Sequence, residues 1–219
     1  MKRILLFVII LLNFSDMISA QDISLPKAEQ NRRTLSVSET LATRHSVREF
    51  SSADLTLQDI SDLCWAACGM SRDDSHRTAP TAMNRQEIRL FVFMKKGTYE
   101  YIALDNMLRL LAPGDNRRLV AGGSGFSQDF VLDAPVSLVE VIDFGIFGSR
   151  DQHAMMMTCV DAGNVSENIN LFCQASGMVT VPRATMDVKG IVRLLNLSEE
   201  CLPIMNNPVG YPKDSSMHR

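Results

Sequence analysis

The sequence predicts an α+β layered domain, and three observations carry that reading. Amphipathic helical stretches and strand-like runs are interleaved along the chain. Two of the strand runs, GTYEYIAL and MLRLLAPG, face each other across Asp105-Asn106 as a hairpin, so strict strand-helix-strand alternation is broken. A third run, APVSLVEVIDF, is almost continuously apolar, the pattern of a strand covered on both faces.

The chain has 219 residues. Its first twenty carry Lys2 and Arg3, a short apolar run from Ile4 to Leu12, and a small residue, Ala20, before Gln21. That is the layout of a cleaved export signal, since the run falls short of the roughly 20 apolar residues that span a bilayer. An uncleaved anchor is the minority reading. Residues 1–20 are therefore expected to be a signal peptide, 21–35 an extended arm and 36–219 one folded domain, placed outside the cytoplasm (periplasmic or extracellular).

Apolar residues make up 46% and the net charge is −3 with signs interspersed, so a full core is affordable and no basic stripe argues for nucleic acid. Five cysteines in apolar surroundings, an odd number in a domain this size, suggest buried free thiols in place of a disulfide framework. Four scattered histidines lack ligand spacing, so no metal is expected.

The elements follow in order. Ser36 to Thr43 reads as a short helix. Thr56 is an N-cap with Asp59 three residues on, and the helix behind it puts Leu57, Ile60, Leu63, Cys64, Ala67 and Cys68 on one face. SRDDSHRTAPTAMN is a loop, EIRLFVFMKK an alternating strand, and the hairpin comes next. A short helix covers Asn116 to Ala121 ahead of Gly122-Gly123-Ser124-Gly125, which lacks the following Gly-Lys-Ser/Thr of a phosphate loop. After the apolar strand, a long helix fills His153 to Ser176 and stops at Gly177. MVTVPRA is extended, DVKGIVRLL a helix, and CLPIMNNPVG a last strand.

Two stretches carry chemistry. In TRHSVREF, an extended backbone points Arg44, Ser46 and Arg48 the same way. Guanidinium forks and a hydroxyl suit an anion such as phosphate, whereas a solvated strand pairing with Glu49 or Asp54 explains them equally well. In APTAMNRQE, Asn84 and Gln86 carry amides that can read a heterocycle's edge or merely cap the loop. No side chain stands out as a catalytic acid, base or nucleophile.

From Leu41 to Arg219 the chain resembles the FMN-dependent nitroreductase family, including its azoline-oxidising dehydrogenase-like branch. TRHSVREF, APTAMNRQE, DAPVSLVEV, DAGNVSENINLFCQASGM, VPRATMD and the closing VRLLNLSEECLPIMNNPVGYP arrive in the family's order. The resemblance implies a three-layer fold, a mainly antiparallel mixed sheet flanked by helices, and an intertwined homodimer with FMN at its interface. It implies that Arg44 and Ser46, with His45, hold the FMN phosphate and that Arg48 sits at the pyrimidine edge. Pro80, Thr81, Ala82, Met83, Asn84 and Gln86 would reach the flavin from the other subunit. The backbone at Ala184 and Thr185, where the family usually has glycine, would approach N5, and Arg219 would stand in for a basic pair at the phosphate. The implied activity is ping-pong oxidoreduction, with NAD(P)H as a candidate donor and a nitroaromatic or quinone-like acceptor, or a dehydrogenation. The alternative is a non-catalytic flavin- or ligand-binding homodimer of the same fold.

Overall fold

A computed structural model describes residues 21–30, 35–123 and 125–213. The expected signal peptide, Ser124 and Arg219 lie outside the described residues. After a two-residue strand β1 (Ile23–Ser24) come helices α1 (Val37–Thr43) and α2 (Leu57–Cys68). Strands β2 (Ile88–Met94), β3 (Gly97–Ile102) and β4 (Met107–Pro113) follow. Helix α3 (Arg118–Ala121), the small hairpin β5 (Gly122–Gly123) and β6 (Phe126–Ser127), strand β7 (Val136–Asp143) and the single turn α4 (Phe144–Phe147) lead to the long helix α5 (Gln152–Ala175). The chain closes with β8 (Val179–Thr180), α6 (Val188–Leu195) and β9 (Cys201–Gly210).

Seven strands form one sheet in the order β1-β4-β3-β2-β7-β9-β8, each neighbouring pair antiparallel. Helices cover both faces, which makes the expected three layers. On one face Leu90, Val92, Leu138 and Ile142 pack with Leu63, Cys64, Ala67, Val165 and Ile169 of α2 and α5. On the other, Phe91, Phe93, Val139 and Val141 pack with Val120, Ile191 and Leu195 of α3 and α6. Strand β7 is buried on both sides, as its apolar run demands. Strand β2, expected to alternate, is also buried on both sides, because helices lie above and below it. Leu57 is a second correction: as the first residue of α2 it overhangs the core and is half exposed.

Local signals set the helix ends. Ser36 caps α1 and Thr56 caps α2, and each forms a reciprocal box with the acid three residues on, Glu39 and Asp59. Asp151 accepts the Ala154 N–H to start α5, one residue earlier than the sequence suggests. Gly177, at φ +73°, ends it in the left-handed region where a side chain is disfavoured. The short helix begins at Arg118 instead of Asn116, since the Asn116 amide is spent on Pro113 O, Gly114 O and Thr98 Oγ1. The arm is not wholly free of the domain: Ile23 pairs with Leu108. All five cysteines are free, and four are buried. Among the described residues no helix is long and apolar enough to cross a membrane.

Candidate functional site

The segment after α1 runs extended against the sheet's last edge. Val47 donates its N–H to Thr180 O at 3.0 Å, and Phe50 bridges to Pro212. Val47 and Phe50 turn inward onto Ala134 and Val179. Their inward turn leaves Ser46 and Arg48 exposed and Arg44 half-buried, with His45 and Glu49 exposed as well. The anticipated pairing of Arg48 with Glu49 or Asp54 does not form among the described residues. His45 Nδ1 lies 2.9 Å from Thr43 O, and Gln174 Nε2 donates to Thr43 Oγ1, fixing this corner to the C-terminal end of α5.

Beside it lies a residue that the sequence did not single out. Arg183 is only 8% exposed. Its guanidinium donates to Gln128 Oε1 at 2.7 Å, Val120 O at 3.1 Å, Ala121 O at 3.3 Å and Asn206 Oδ1 at 2.5 Å, with the Phe130 ring 5.5 Å away. Every acceptor is neutral, and Arg183 has no carboxylate partner among the described residues. Burial, and then the like charge of Arg48 nearby, pulls its pKa down to about 10. It stays a cation at neutral pH, with Arg48 as the neighbouring charge.

Asn206, with no exposed surface, fastens this cation to the adjoining loop. Its backbone exchanges both hydrogen bonds with Arg183, and its Nδ2 donates to Thr185 O at 3.1 Å. The amides of Ala184 and Thr185 have no acceptor among the described residues, and Ala184 is exposed. The only sequence signal for Arg183 was a cation inside the apolar stretch MVTVPRA.

The second expected group, Pro80 to Gln86, is held elsewhere. Asp161 Oδ2 of α5 accepts the Ala82 N–H at 2.8 Å, and Asn164 Nδ2 donates to Pro80 O at 3.3 Å. Gln86 donates its N–H to Thr81 Oγ1 and its Nε2 to Ser75 O and Asn84 Oδ1. The amides therefore cap the loop, leaving Asn84 Nδ2 and Gln86 Oε1 uncommitted. Met83, Asn84 and Gln86 all have positive φ, and Met83 is 71% exposed. Such backbone is costly in side-chain-bearing residues and gathers at functional sites. Asp161 and Gln174, the anchors of the two groups, stand about 20 Å apart along α5 at the helical rise. Gln174 thus holds the segment that begins at Arg44 near the C-terminal end of α5, and Asp161 and Asn164 hold the 80–86 loop at mid-helix, while Ala184 and Thr185 follow Arg183 at its pairing with Asn206.

Glu87, under that loop, and Glu140, in mid-β7, are fully buried. Among the described residues the Glu140 carboxyl has no hydrogen-bond partner, and the Glu87 carboxyl faces that of Asp161. Burial pushes Glu140 up to about 8. It pushes Glu87 up to about 7, with Asp161 beside it adding to the rise.

The nitroreductase family model matches residues 41–211, which is most of the chain. The chain belongs to the nitroreductase family. A Methanocaldococcus jannaschii protein named "Putative nitroreductase" is 26% identical over 200 residues, covering 86% of this chain and 96% of that one. A solved structure from Ralstonia eutropha, described as a "putative nitroreductase", superposes with a TM-score of 0.81 at 29% identity, over 90% of this chain and 92% of that one. A nitroreductase family protein from Clostridium novyi, at 19% identity and a TM-score of 0.61, covers 84% of this chain and 88% of its own and shares the fold. Membership in the nitroreductase family supports an oxidoreductase.

Proposed function

We propose that this nitroreductase-family chain is an exported, FMN-dependent oxidoreductase that works as a homodimer. The observation that carries the reading is the buried, acid-free Arg183, with the charge of Arg48 nearby, next to the open backbone of Ala184 and Thr185; Arg44 and Ser46 lie on the same extended segment as Arg48. Three cations and a hydroxyl, Ser46, with no carboxylate among them fit a phosphate-bearing cofactor whose ring becomes electron-rich on reduction. Arg44 and Ser46, with His45, would hold the phosphate, and Arg48 the pyrimidine edge. FMN, when bound, supplies hydride acceptance and donation at N5.

The separation along α5 supports the dimer. With the two groups anchored at different turns of α5, the loop would serve the second copy's flavin. Met156 and Val160 stay exposed on α5 on the N-terminal side of Asp161, apolar surface suited to a contact between copies. Pro80, Thr81, Ala82, Met83, Asn84 and Gln86 would then complete the second copy's site with backbone and amide contacts. The absence of an obvious acid or base suits chemistry carried by the cofactor. Outside the cytoplasm the donor would be NAD(P)H only where it is supplied there, or else a substrate that the enzyme dehydrogenates. The acceptor class is nitroaromatic or quinone-like.

The test starts with the visible spectrum and mass in solution of the protein purified from its own compartment. A flavin band near ~450 nm in a dimer, bleached by a reduced donor, is the expected result. A yellow dimer that no donor bleaches would favour the non-catalytic reading. A colourless protein that also fails to take up FMN overturns the proposal.

A further inference from the structure

A guanidinium carries a charge that burial makes expensive unless an anion answers it. Arg183 is buried, its acceptors are two backbone carbonyls and two side-chain amides, and the nearby charge is another arginine. A structural role alone would be met more cheaply by a neutral side chain or by an acid in place of Gln128 or Asn206. The arrangement makes sense if the balancing negative charge arrives with a ligand and is absent from the empty fold. The position also matters. Arg183 immediately precedes Ala184, and Asn206 holds the cation through Oδ1 and the Thr185 carbonyl through Nδ2. The cation and the loop cannot shift independently.

We propose that Arg183 is a positioning residue for the reduced cofactor: a buried cation without a carboxylate partner among the described residues that adds to Arg48 and is tied by Asn206 to the Ala184–Thr185 loop, so that it would stabilise negative charge on a bound flavin. The inference rests on the FMN reading above. It assigns roles to Arg183 and Asn206 that neither the anion pattern around Arg44 nor the 80–86 loop supplies. Gln128 and Phe130 keep the guanidinium in place, by a hydrogen bond and by the ring's electron-rich face.

Sulfite binding to the FMN-loaded protein tests this without turnover. The sulfur lone pair forms a bond to N5 and the displaced electron pair comes to rest on the N1–C2=O edge, so no outside oxidant or reductant is needed. A cation near the ring therefore tightens the adduct. Arg183→Gln is expected to weaken sulfite roughly tenfold and lower the flavin reduction potential, with oxidised FMN affinity changed far less. Arg183→Lys, which keeps the charge but not the fork, is expected to retain most of both properties. Asn206→Asp, which supplies the missing carboxylate, is expected to weaken sulfite as Arg183→Gln does. Equal losses in the Lys and Gln variants, or unchanged sulfite affinity in both Arg183→Gln and Asn206→Asp, would overturn the inference. If Arg183→Gln does not fold, Asn206→Asp compared with Arg183→Lys decides. A parent protein that takes up no FMN refutes the cofactor reading instead, which keeps the two failures distinct.

Discussion

Asp161, in the middle of α5, accepts the backbone N–H of Ala82 at 2.8 Å across 79 residues of sequence. This is the main tie between the long helix and a loop whose backbone is left-handed at Met83, Asn84 and Gln86. Asp161→Ala frees that N–H and leaves the strained loop with fewer restraints. The expected cost is about 1–3 kcal/mol of stability, with faster hydrogen exchange and proteolysis confined to residues 80–86. Uniform loss of protection across the sheet would show that Asp161 serves the core instead.

The buried acids give the molecule an unusual pH response. Glu140 titrates near 8 when folded, and an unfolded glutamate near its ordinary value of 4.5. Between these values the folded state holds a proton that the unfolded state has lost, so stability falls as pH rises and levels off above about 8. Glu87, at about 7, acts in the same direction. Thermal melts from pH 5 to pH 9 should show this decline. Glu140→Gln should remove its share of the decline, on the order of 5 kcal/mol at the alkaline end, and leave the share due to Glu87. A melt that is flat over this range in the parent would mean that Glu140 is answered by a partner after all.

Acid works on Glu100. Burial alone would raise its pKa, but hydrogen bonds from Arg89 and Arg109 outweigh burial and hold it below the usual range. That contribution is present above about 4.5 and lost as pH falls through the lowered value. Glu100→Gln should therefore lose stability at neutral pH and lose less on acidification than the parent. An identical acid limb in both proteins would count against it.

Asp59 does two jobs at the start of α2. It closes the capping box with Thr56, and its Oδ2 accepts from the Tyr211 hydroxyl at 2.6 Å. Thr56→Ala should cost about 1 kcal/mol. Asp59→Ala should cost more and also loosen the closing Tyr211-Pro212 segment, seen as lower amide protection there. Equal costs would assign Asp59 to the cap alone.

Arg44 and Arg48 are expected to fail differently. Arg44→Ala should weaken FMN by roughly ten- to a hundredfold, the worth of a charge-assisted bond, and leave riboflavin, which lacks the phosphate, almost untouched. Arg48→Ala should weaken both and lower the flavin reduction potential. A variant of Arg44 that loses FMN and riboflavin equally would remove it from the phosphate.

Much of this was legible in the residues. Thr56 with Asp59, Gly177 after the long helix, and the apolar run of β7 each declare an element through contacts a few residues apart. Arg44, Ser46 and Arg48 suggested an anion site by side-chain chemistry, on which the proposed function builds. Arg183 and Asp161 did not, because what makes them notable is a partner far along the chain: Asn206 lies 23 residues from Arg183, and Ala82 lies 79 from Asp161. Strand β2 misled for a related reason, since its burial depends on helices that pack from both sides.

By itself the sequence determined most elements, the main helix ends and the family, because helix ends are set by neighbours within one or two turns. The tertiary structure decided which charges meet. Strand register placed Asn206 against Arg183, and α5 set the anchors Asp161 and Gln174 about 20 Å apart along its axis. Long-range electrostatics and reach depend on distances through space, and those exist only once the sheet is assembled.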